Sequence, residues 1–265
     1  LAADDIEVNE DISVSGDYDW KRFANDHITL NVYNNGLYIS DGSDESINVL
    51  SAFEELTGIK VNYTTYDSNE SLYAKLKSGG VSYDVIFPSD YMVGKMAKEG
   101  MLSELNMDNI PNFAGIGETY LDRSFDPGNK YSVPYMWGTA GILFNKKFIT
   151  AEEADTWDIL WDSKNRGKIL MKDSYRDAYG TAIIYAHARE LADSTVTVEQ
   201  LMNDNSPEAI ALAEQYLKDL KPNIAGWEAD FGKEMMTKNK AWLNLTWSGD
   251  AVWAIEEAEA VGVDL

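Results

Sequence analysis

The sequence predicts an α/β fold built from two lobes. Short segments rich in β-branched and aromatic residues alternate with segments whose apolar residues recur at helical spacing. This alternation is typical of open parallel sheets covered by helices. It occurs twice, and the segment 131–145 connects the two runs. We therefore expect an arm over 1–27, a first lobe over 28–137 and a second lobe over 138–265, with a ligand cleft between the lobes.

The net charge limits which classes of partner the protein can bind. The chain has 265 residues, with 45 acidic and 22 basic side chains, and a formal net charge of −23. A chain this acidic repels nucleic acid and attracts cations. It contains no cysteine and only two histidines, His27 and His187, so thiolate zinc sites and histidine-rich metal sites are excluded. We expect no nucleic-acid partner, no cofactor and no metal.

The first 27 residues differ from the rest. Seven acidic residues precede the first basic residue, Lys21, and the apolar residues of this segment show no regular spacing. Such composition is typical of a solvated, flexible arm. A tether between a membrane anchor and a folded domain is the alternative interpretation.

The elements of the first lobe follow in strict alternation. Gly58 is placed to end the first helix, Ser68 or Asn69 to begin the second, and Gly79 to end it. Pro88 opens the loop after the third strand. The predicted strands are 28–34, 59–66 and 83–89, and the predicted helices are 47–58, 68–79 and 90–101.

The second lobe follows the connecting segment, which reads as a strand, a loop of proline, aromatic and glycine residues, and another strand. An aromatic turn or short helix is expected at 156–162. Beyond it, the pattern predicts a strand at 168–173, helices at 176–191 and 207–221, and a strand that runs into a helix over 240–260, with its turn at 247–250.

Ligands of open parallel sheets bind beyond the carboxyl ends of the strands. Here those positions hold aromatic, hydroxyl and acidic side chains, and their one base is Arg176. Aromatic faces and carboxylates suit an organic cation, and a linear diamine needs a carboxylate at each end. The candidate positions are 34–38, 89, 91, 173–177 and 247–250.

Other interpretations of these residues stay open. Tyr38 and Tyr91 could pack within the protein, and Asp250 could cap the helix that follows it. Carboxylates among aromatics could also form a glycosidase site, although no spacing singles out a pair. A surface adhesion module that uses the acidic arm is a third possibility.

Three segments carry a resemblance to a known family: 58–102, 125–145 and 246–254. They closely resemble the spermidine/putrescine-binding proteins of bacterial ABC importers, and the resemblance runs from about Leu30 to the end of the sequence. It implies a type II periplasmic-binding-protein fold. It also implies a carrier rather than an enzyme, which is extracytoplasmic and monomeric and delivers polyamine to a membrane permease. Family members continue beyond a position equivalent to Leu265, so the second lobe is expected to be incomplete.

The resemblance also implies which residues contact the ligand. Asp250 matches an acid of the putrescine-preferring branch, and Ser174 stands where spermidine-type members often carry a second acid. Asn35 replaces a tryptophan that is usual in the family. Asn35 and Ser174 favour, as an alternative, another small organic cation or a polar solute, and the choice between putrescine and spermidine stays open. The remaining implied contacts are Tyr38, Ser89, Tyr91, Asp177 and Trp247.

Overall fold

A computed structural model describes residues 4–43, 45–229 and 231–265. The chain separates into unit 1, Leu1–Tyr135, and unit 2, Met136–Leu265. Each unit has its own sheet and its own buried core. The predicted α/β class is confirmed. The sequence pattern predicts the boundary after Trp137, and the structure has it after Tyr135.

Unit 1 is built on a parallel sheet in which β3 is central and β4 and β5 flank it. A separate antiparallel pair, β1 and β2, lies in the arm. The elements of unit 1 are β1 Ile6–Glu7, β2 Ser13–Val14, β3 Thr29–Asn35, α1 Val49–Thr57, β4 Lys60–Tyr66, α2 Asn69–Lys77, β5 Val85–Ile86 and α3 Asp90–Lys98.

Local sequence explains where the first two helices begin and end. The Asn48 side chain accepts a hydrogen bond from the Ser51 amide and caps α1. Gly58 ends α1 with φ +75°, a left-handed conformation that favours glycine. Ser68 and Ser71 form a reciprocal capping box at the start of α2. The predicted signals at Gly58 and Ser68 are confirmed.

Helices α2 and α3 pack on the sheet of unit 1. Leu72 and Met96 are fully buried, with Tyr33 and Tyr66 beside them. The Tyr33 ring also stacks on Tyr83, with ring centroids 4.5 Å apart. These contacts hold the two helices and the segment before β5 against the sheet.

The arm contacts α1. The Lys21 ammonium donates a hydrogen bond to the Glu55 carbonyl, and a side chain at Gly58 would meet Ala24, because an added Cβ would lie 2.8 Å from the Ala24 Cβ. Between the arm and α1 lies a cavity of about 450 Å³ that Trp20 and Ala52 help to line. The described part of the arm is thus partly structured, which its composition did not indicate, and its flexibility stays a prediction.

Unit 2 contains a four-stranded sheet in the order β6, β9, β7, β8. β7 runs parallel to both β8 and β9, whereas β6 is antiparallel to β9. The elements of unit 2 are β6 Ala140–Phe144, α4 Asp158–Trp161, β7 Ile169–Lys172, α5 Tyr175–Ala186, α6 Ala188–Ala192, α7 Val198–Asn203, α8 Pro207–Leu220, β8 Ile224–Glu228, α9 Gly232–Thr237, β9 Leu243–Trp247 and α10 Ser248–Ala260.

Helices cover both faces of this sheet. Ile169 and Met171 point into one buried cluster, and Leu170, between them, points into another. Alternate residues of a strand face opposite sides, so a strand buried on both faces is apolar throughout. β7 fits this rule except at its last residue, Lys172.

The structure differs from the predicted elements in the connecting segment and in unit 2. Residues 132–139 form no strand, so the first strand expected in the connecting segment is wrong. The helix expected at 176–191 is interrupted at His187. Strand β8 was not predicted.

Among the described residues, no helix is both long and apolar enough to cross a membrane.

Candidate functional site

Three neighbouring strands of unit 2 end at the same edge of the sheet. β7 ends at Lys172, β8 at Glu228 and β9 at Trp247. Because the three strands are parallel, their last side chains are brought together. Lys172 and Glu228 lie directly opposite each other in the register.

The Lys172 ammonium is the centre of this group. It lies 3.1 Å from Glu228 Oε1, forms a close ion pair with Asp250 Oδ2, and donates a hydrogen bond of 3.1 Å to the Ala229 carbonyl. It also lies 4.4 Å from the centroid of the Trp247 ring. Only 2% of the Lys172 side chain is exposed, against 40% of the Asp250 side chain.

Glu228 is held in place by groups other than Lys172. Its Oε2 accepts a hydrogen bond of 3.2 Å from the Gly232 amide, and its Oε1 accepts one of 3.2 Å from Asn244 Nδ2. A Cβ at Gly232 would lie 2.6 Å from the Glu228 carboxyl carbon, so this approach of backbone to carboxylate requires glycine. The carboxylate is therefore buried in a fixed position.

Asp177 joins the group through Trp247, and Ser174 joins it through Asp177. The Trp247 indole Nε1 donates a hydrogen bond of 3.1 Å to Asp177 Oδ2. Ser174 caps α5, because its Oγ accepts a hydrogen bond of 3.3 Å from the Asp177 amide. All three side chains are half-buried. The Arg176 guanidinium, the base expected here, donates to the Met202 carbonyl.

Asp250 lies in the first turn of α10, after Ser248. The position that caps α10 is Trp247, so the interpretation of Asp250 as the cap is wrong. A carboxylate in the first turn is still stabilised by the helix dipole. The start of α10 is tied to residue 139, because the Ser248 amide donates a 2.8 Å hydrogen bond to the Thr139 carbonyl.

The candidate residues of unit 1 also follow its strands. Asn35 is the last residue of β3, and Tyr38 lies in the loop beyond it, where its carbonyl accepts a hydrogen bond from the Tyr135 hydroxyl. Ser89 precedes α3 and is bonded to Asn69 at the start of α2. The Ser89 amide donates a hydrogen bond of 2.8 Å to Asn69 Oδ1, and the Ser89 hydroxyl accepts one of 2.9 Å from Asn69 Nδ2.

Tyr91 packs within unit 1 and also makes a polar contact through its hydroxyl. Its ring packs against the core of unit 1, and its hydroxyl donates a hydrogen bond of 2.8 Å to Glu70 Oε1. Packing is therefore part of its role, and ligand contact stays a prediction. The contacts of Ser89 and Tyr91 with Asn69 and Glu70 fix the start of α3 against the start of α2.

Sequence reasoning missed Lys172 and Glu228. The pattern predicts a strand over 168–173, and ligand residues are expected where a strand ends. The candidate positions at this strand therefore begin at Asp173 and leave Lys172 out. The available signal was a charged residue at the end of an otherwise apolar strand, since lysine is rarely buried without a partner. Glu228 was missed together with β8.

A metal would need a different arrangement of donors. Within the parts of the chain that the structure describes, no three His, Cys, Asp or Glu side chains are grouped as a metal ion would require. The group at the strand ends of unit 2 instead has carboxylates, an indole face and a hydroxyl, which are groups that bind ammonium ions.

Comparisons with known proteins show which family this chain is similar to. Residues 48–265 match the family model described as bacterial extracellular solute-binding protein. The spermidine/putrescine-binding periplasmic protein of Escherichia coli is 34% identical over 241 residues, which are 91% of this chain and 64% of that protein. The chain thus spans about 64% of the length of this relative.

Solved structures of two bacterial proteins are similar as well. The spermidine/putrescine ABC transporter substrate-binding protein PotD from Streptococcus pneumoniae is 36% identical with a TM-score of 0.64, and the match covers 88% of this chain and 66% of that one. The Tp0655 (TpPotD) lipoprotein of Treponema pallidum is 27% identical with a TM-score of 0.72, covering 89% of this chain and 69% of that one.

Proposed function

The chain belongs to the bacterial extracellular solute-binding proteins, and from this membership we propose that it captures a polyamine outside the cytoplasm and delivers it to the permease of an ABC importer. The ligand is putrescine, spermidine or both. It is bound and released without chemical change. The protein acts in the periplasm or tethered to the outer face of the cell membrane.

One observation in this structure carries the proposal. The half-buried carboxylate of Asp177 accepts a hydrogen bond from the indole of Trp247, so a negative charge and an aromatic face adjoin each other at the strand ends of unit 2. A primary ammonium gains about 0.5–2 kcal/mol over an aromatic ring. A hydrogen bond to a carboxylate adds about 1.5–3 kcal/mol. Both are available to one ligand ammonium here.

The nearby charges support a cationic ligand. Glu228 and Asp250 supply two carboxylates to one ammonium, that of Lys172, and Asp177 adds a third carboxylate that contacts Trp247. Asp250 is half-exposed and has a second oxygen that can accept a hydrogen bond. In unit 1, Asn35, Tyr38, Ser89 and Tyr91 stay predictions for ligand contacts.

The similar proteins support the choice of ligand within this class. The Escherichia coli relative is named for spermidine and putrescine binding, as is the Streptococcus pneumoniae protein. The latter is the substrate-binding protein of an ABC transporter, which supports a permease as partner of this chain. Neither description is that of an enzyme.

Titration calorimetry with putrescine, spermidine, spermine and glucose tests the proposal. We expect saturable binding of one or more polyamines in a single site and no heat of binding with glucose. The polyamine recovered after binding should be chemically intact. Binding of glucose without polyamine binding, or turnover of the ligand, would contradict the proposal. Binding of another small amine alone would favour a different organic cation.

A further inference from the structure

The ammonium of Lys172 occupies a position that would suit a ligand. Carboxylates of Glu228 and Asp250 contact it, the Ala229 carbonyl accepts a hydrogen bond from it, and the Trp247 ring lies 4.4 Å away. These are the contacts that an alkylammonium ion seeks in a protein. The chain fills this position with its own cation.

This internal cation is not free to leave. The Lys172 and Glu228 side chains are each only 2% exposed. Glu228 is bonded by the Gly232 amide and by Asn244, so it cannot turn away toward another cation. Moving the Lys172 ammonium out would leave the buried carboxylate unpaired, which is strongly unfavourable.

We propose that Lys172 is a specificity-determining residue that fills one ammonium position at the strand ends of unit 2. The inference rests on the proposed function. With Lys172 in place, a ligand ammonium in this unit can contact Asp177, the exposed part of Trp247, and Oδ1 of Asp250, the carboxylate oxygen that does not pair with Lys172. Lys172 therefore limits how many ammonium groups of a polyamine this unit accepts.

Chemical rescue tests whether the position accepts a separate cation. Lys172→Ala removes three carbons and the ammonium, which together correspond to n-propylammonium. We expect a melting temperature lower than that of the wild type, and a saturable recovery of it with n-propylammonium chloride. Propan-1-ol, which has the same length and no charge, should not restore it, and sodium chloride at equal ionic strength should not either.

Lys168→Ala is the matched control. Lys168 immediately precedes β7, and its ammonium lies 5.3 Å from the centroid of the Trp242 ring, so it also combines a lysine with an indole. It should show no rescue by n-propylammonium. An equal effect of n-propylammonium on both variants would overturn the proposal.

Lys172→Ala could fail to fold. In that case its refolding yield is measured with n-propylammonium and with propan-1-ol. A higher yield with the cation alone supports the proposal. Equal yields, including no folding in either, contradict it.

The polyamine preference of Lys172→Met gives a second test. Methionine keeps the aliphatic packing but ends one atom short of the ammonium. The position between Glu228 and Asp250 is then open to a ligand ammonium, so a triamine should gain more than a diamine. We expect the ratio of the putrescine Kd to the spermidine Kd to rise at least tenfold over the wild-type ratio.

The two tests separate failure of this inference from failure of the proposed function. If the wild type binds no polyamine, the proposed function fails, while the rescue of Lys172→Ala still decides whether the position takes an alkylammonium ion. If the wild type binds polyamine and the ratio is unchanged in Lys172→Met, the proposed function stands and the role of Lys172 is wrong.

Discussion

Lys172 and Asp177 are separated by only five positions, yet the sequence pointed to one of them alone. Asp177 follows the predicted strand and matches a family motif, so both lines of reasoning led to it. Lys172 ends the strand, and its partners Glu228 and Asp250 are distant in sequence. A lone sequence shows which residues carry charge, but the pairing of distant charges follows from the strand order.

Asp177→Asn tests whether the Asp177 carboxylate, which does not pair with Lys172 in the proposed arrangement, binds the ligand ammonium. The amide oxygen can still accept the hydrogen bond from Trp247 Nε1, so the indole should keep its position while the negative charge is lost. We expect putrescine affinity to fall by about 1.5–3 kcal/mol, which is roughly tenfold to over a hundredfold. Titration calorimetry measures the affinity, and a melting curve checks the fold.

Glu208→Gln is the control for that variant, because Glu208 is an exposed acid of the same unit, in the first turn of α8 and outside the candidate positions. The control removes the same formal charge from unit 2. A loss of affinity as large as that of Asp177→Asn would show that overall charge, and not contact with Asp177, governs binding.

At the scale of elements, helix ends were predicted better than strands. Helices carry local signals, such as Ser68 and Gly58, whose chemistry acts within a few residues. The strand expected at 83–89 covers only Val85–Ile86, because a strand ends where its neighbour stops pairing with it. β8 lacked a clear alternation and was missed, although its pairing with β7 builds the site.

The C-terminal half of α2 and the end of α3 are joined by a charged group whose stabilising effect depends on pH. Hydrogen bonds from the Lys77 and Lys95 ammonium groups and from the Tyr73 hydroxyl lower the pKa of Glu99 from 4.5 to about 2. A carboxyl whose folded pKa is lowered stabilises the fold above its unfolded pKa. That contribution is lost as the pH falls from about 4.5 toward 2.

Glu99→Gln removes this contribution. We expect the variant to melt below the wild type at pH 7, because it loses the charged contacts between α2 and α3. The difference should shrink below pH 4.5 and be largely lost near pH 2, where about half of the wild-type carboxyl is also protonated. Melting curves at pH 7, 4 and 2 measure it. Glu118→Gln, at an exposed acid of unit 1, is the control. A difference that is constant with pH would disprove the assignment.

At the scale of the whole molecule, the periplasmic-binding-protein fold predicted from the sequence is confirmed by the similar solved structures. The fold could be predicted because repeated alternation and several family motifs point to it together. The arm could not, since its short β1–β2 pair and its contacts with α1 depend on few side chains. Its acidic composition adds to a net charge of −23.

Deletion of residues 1–24 tests whether the arm takes part in binding. The arm contacts α1, on which no candidate ligand residue lies. We expect polyamine affinity to stay within about threefold, under ~1 kcal/mol. The melting temperature should fall, because the surface of α1 beneath the arm becomes exposed. A tenfold loss of affinity would show that the arm belongs to the site.

The enclosure of Glu228 also constrains how this sequence can diverge. Loss of Lys172 alone leaves the buried Glu228 carboxylate without a cationic partner, and loss of Glu228 alone leaves the buried Lys172 ammonium with only the half-exposed Asp250 as its ionic partner. Breaking a buried ion pair costs about 3–5 kcal/mol, against a total stability of about 5–15 kcal/mol for a folded domain. Gly232 cannot gain a side chain while the carboxylate is present. Positions 172, 228 and 232 should therefore be inherited together in descendant lineages, and each should change only where the others have changed.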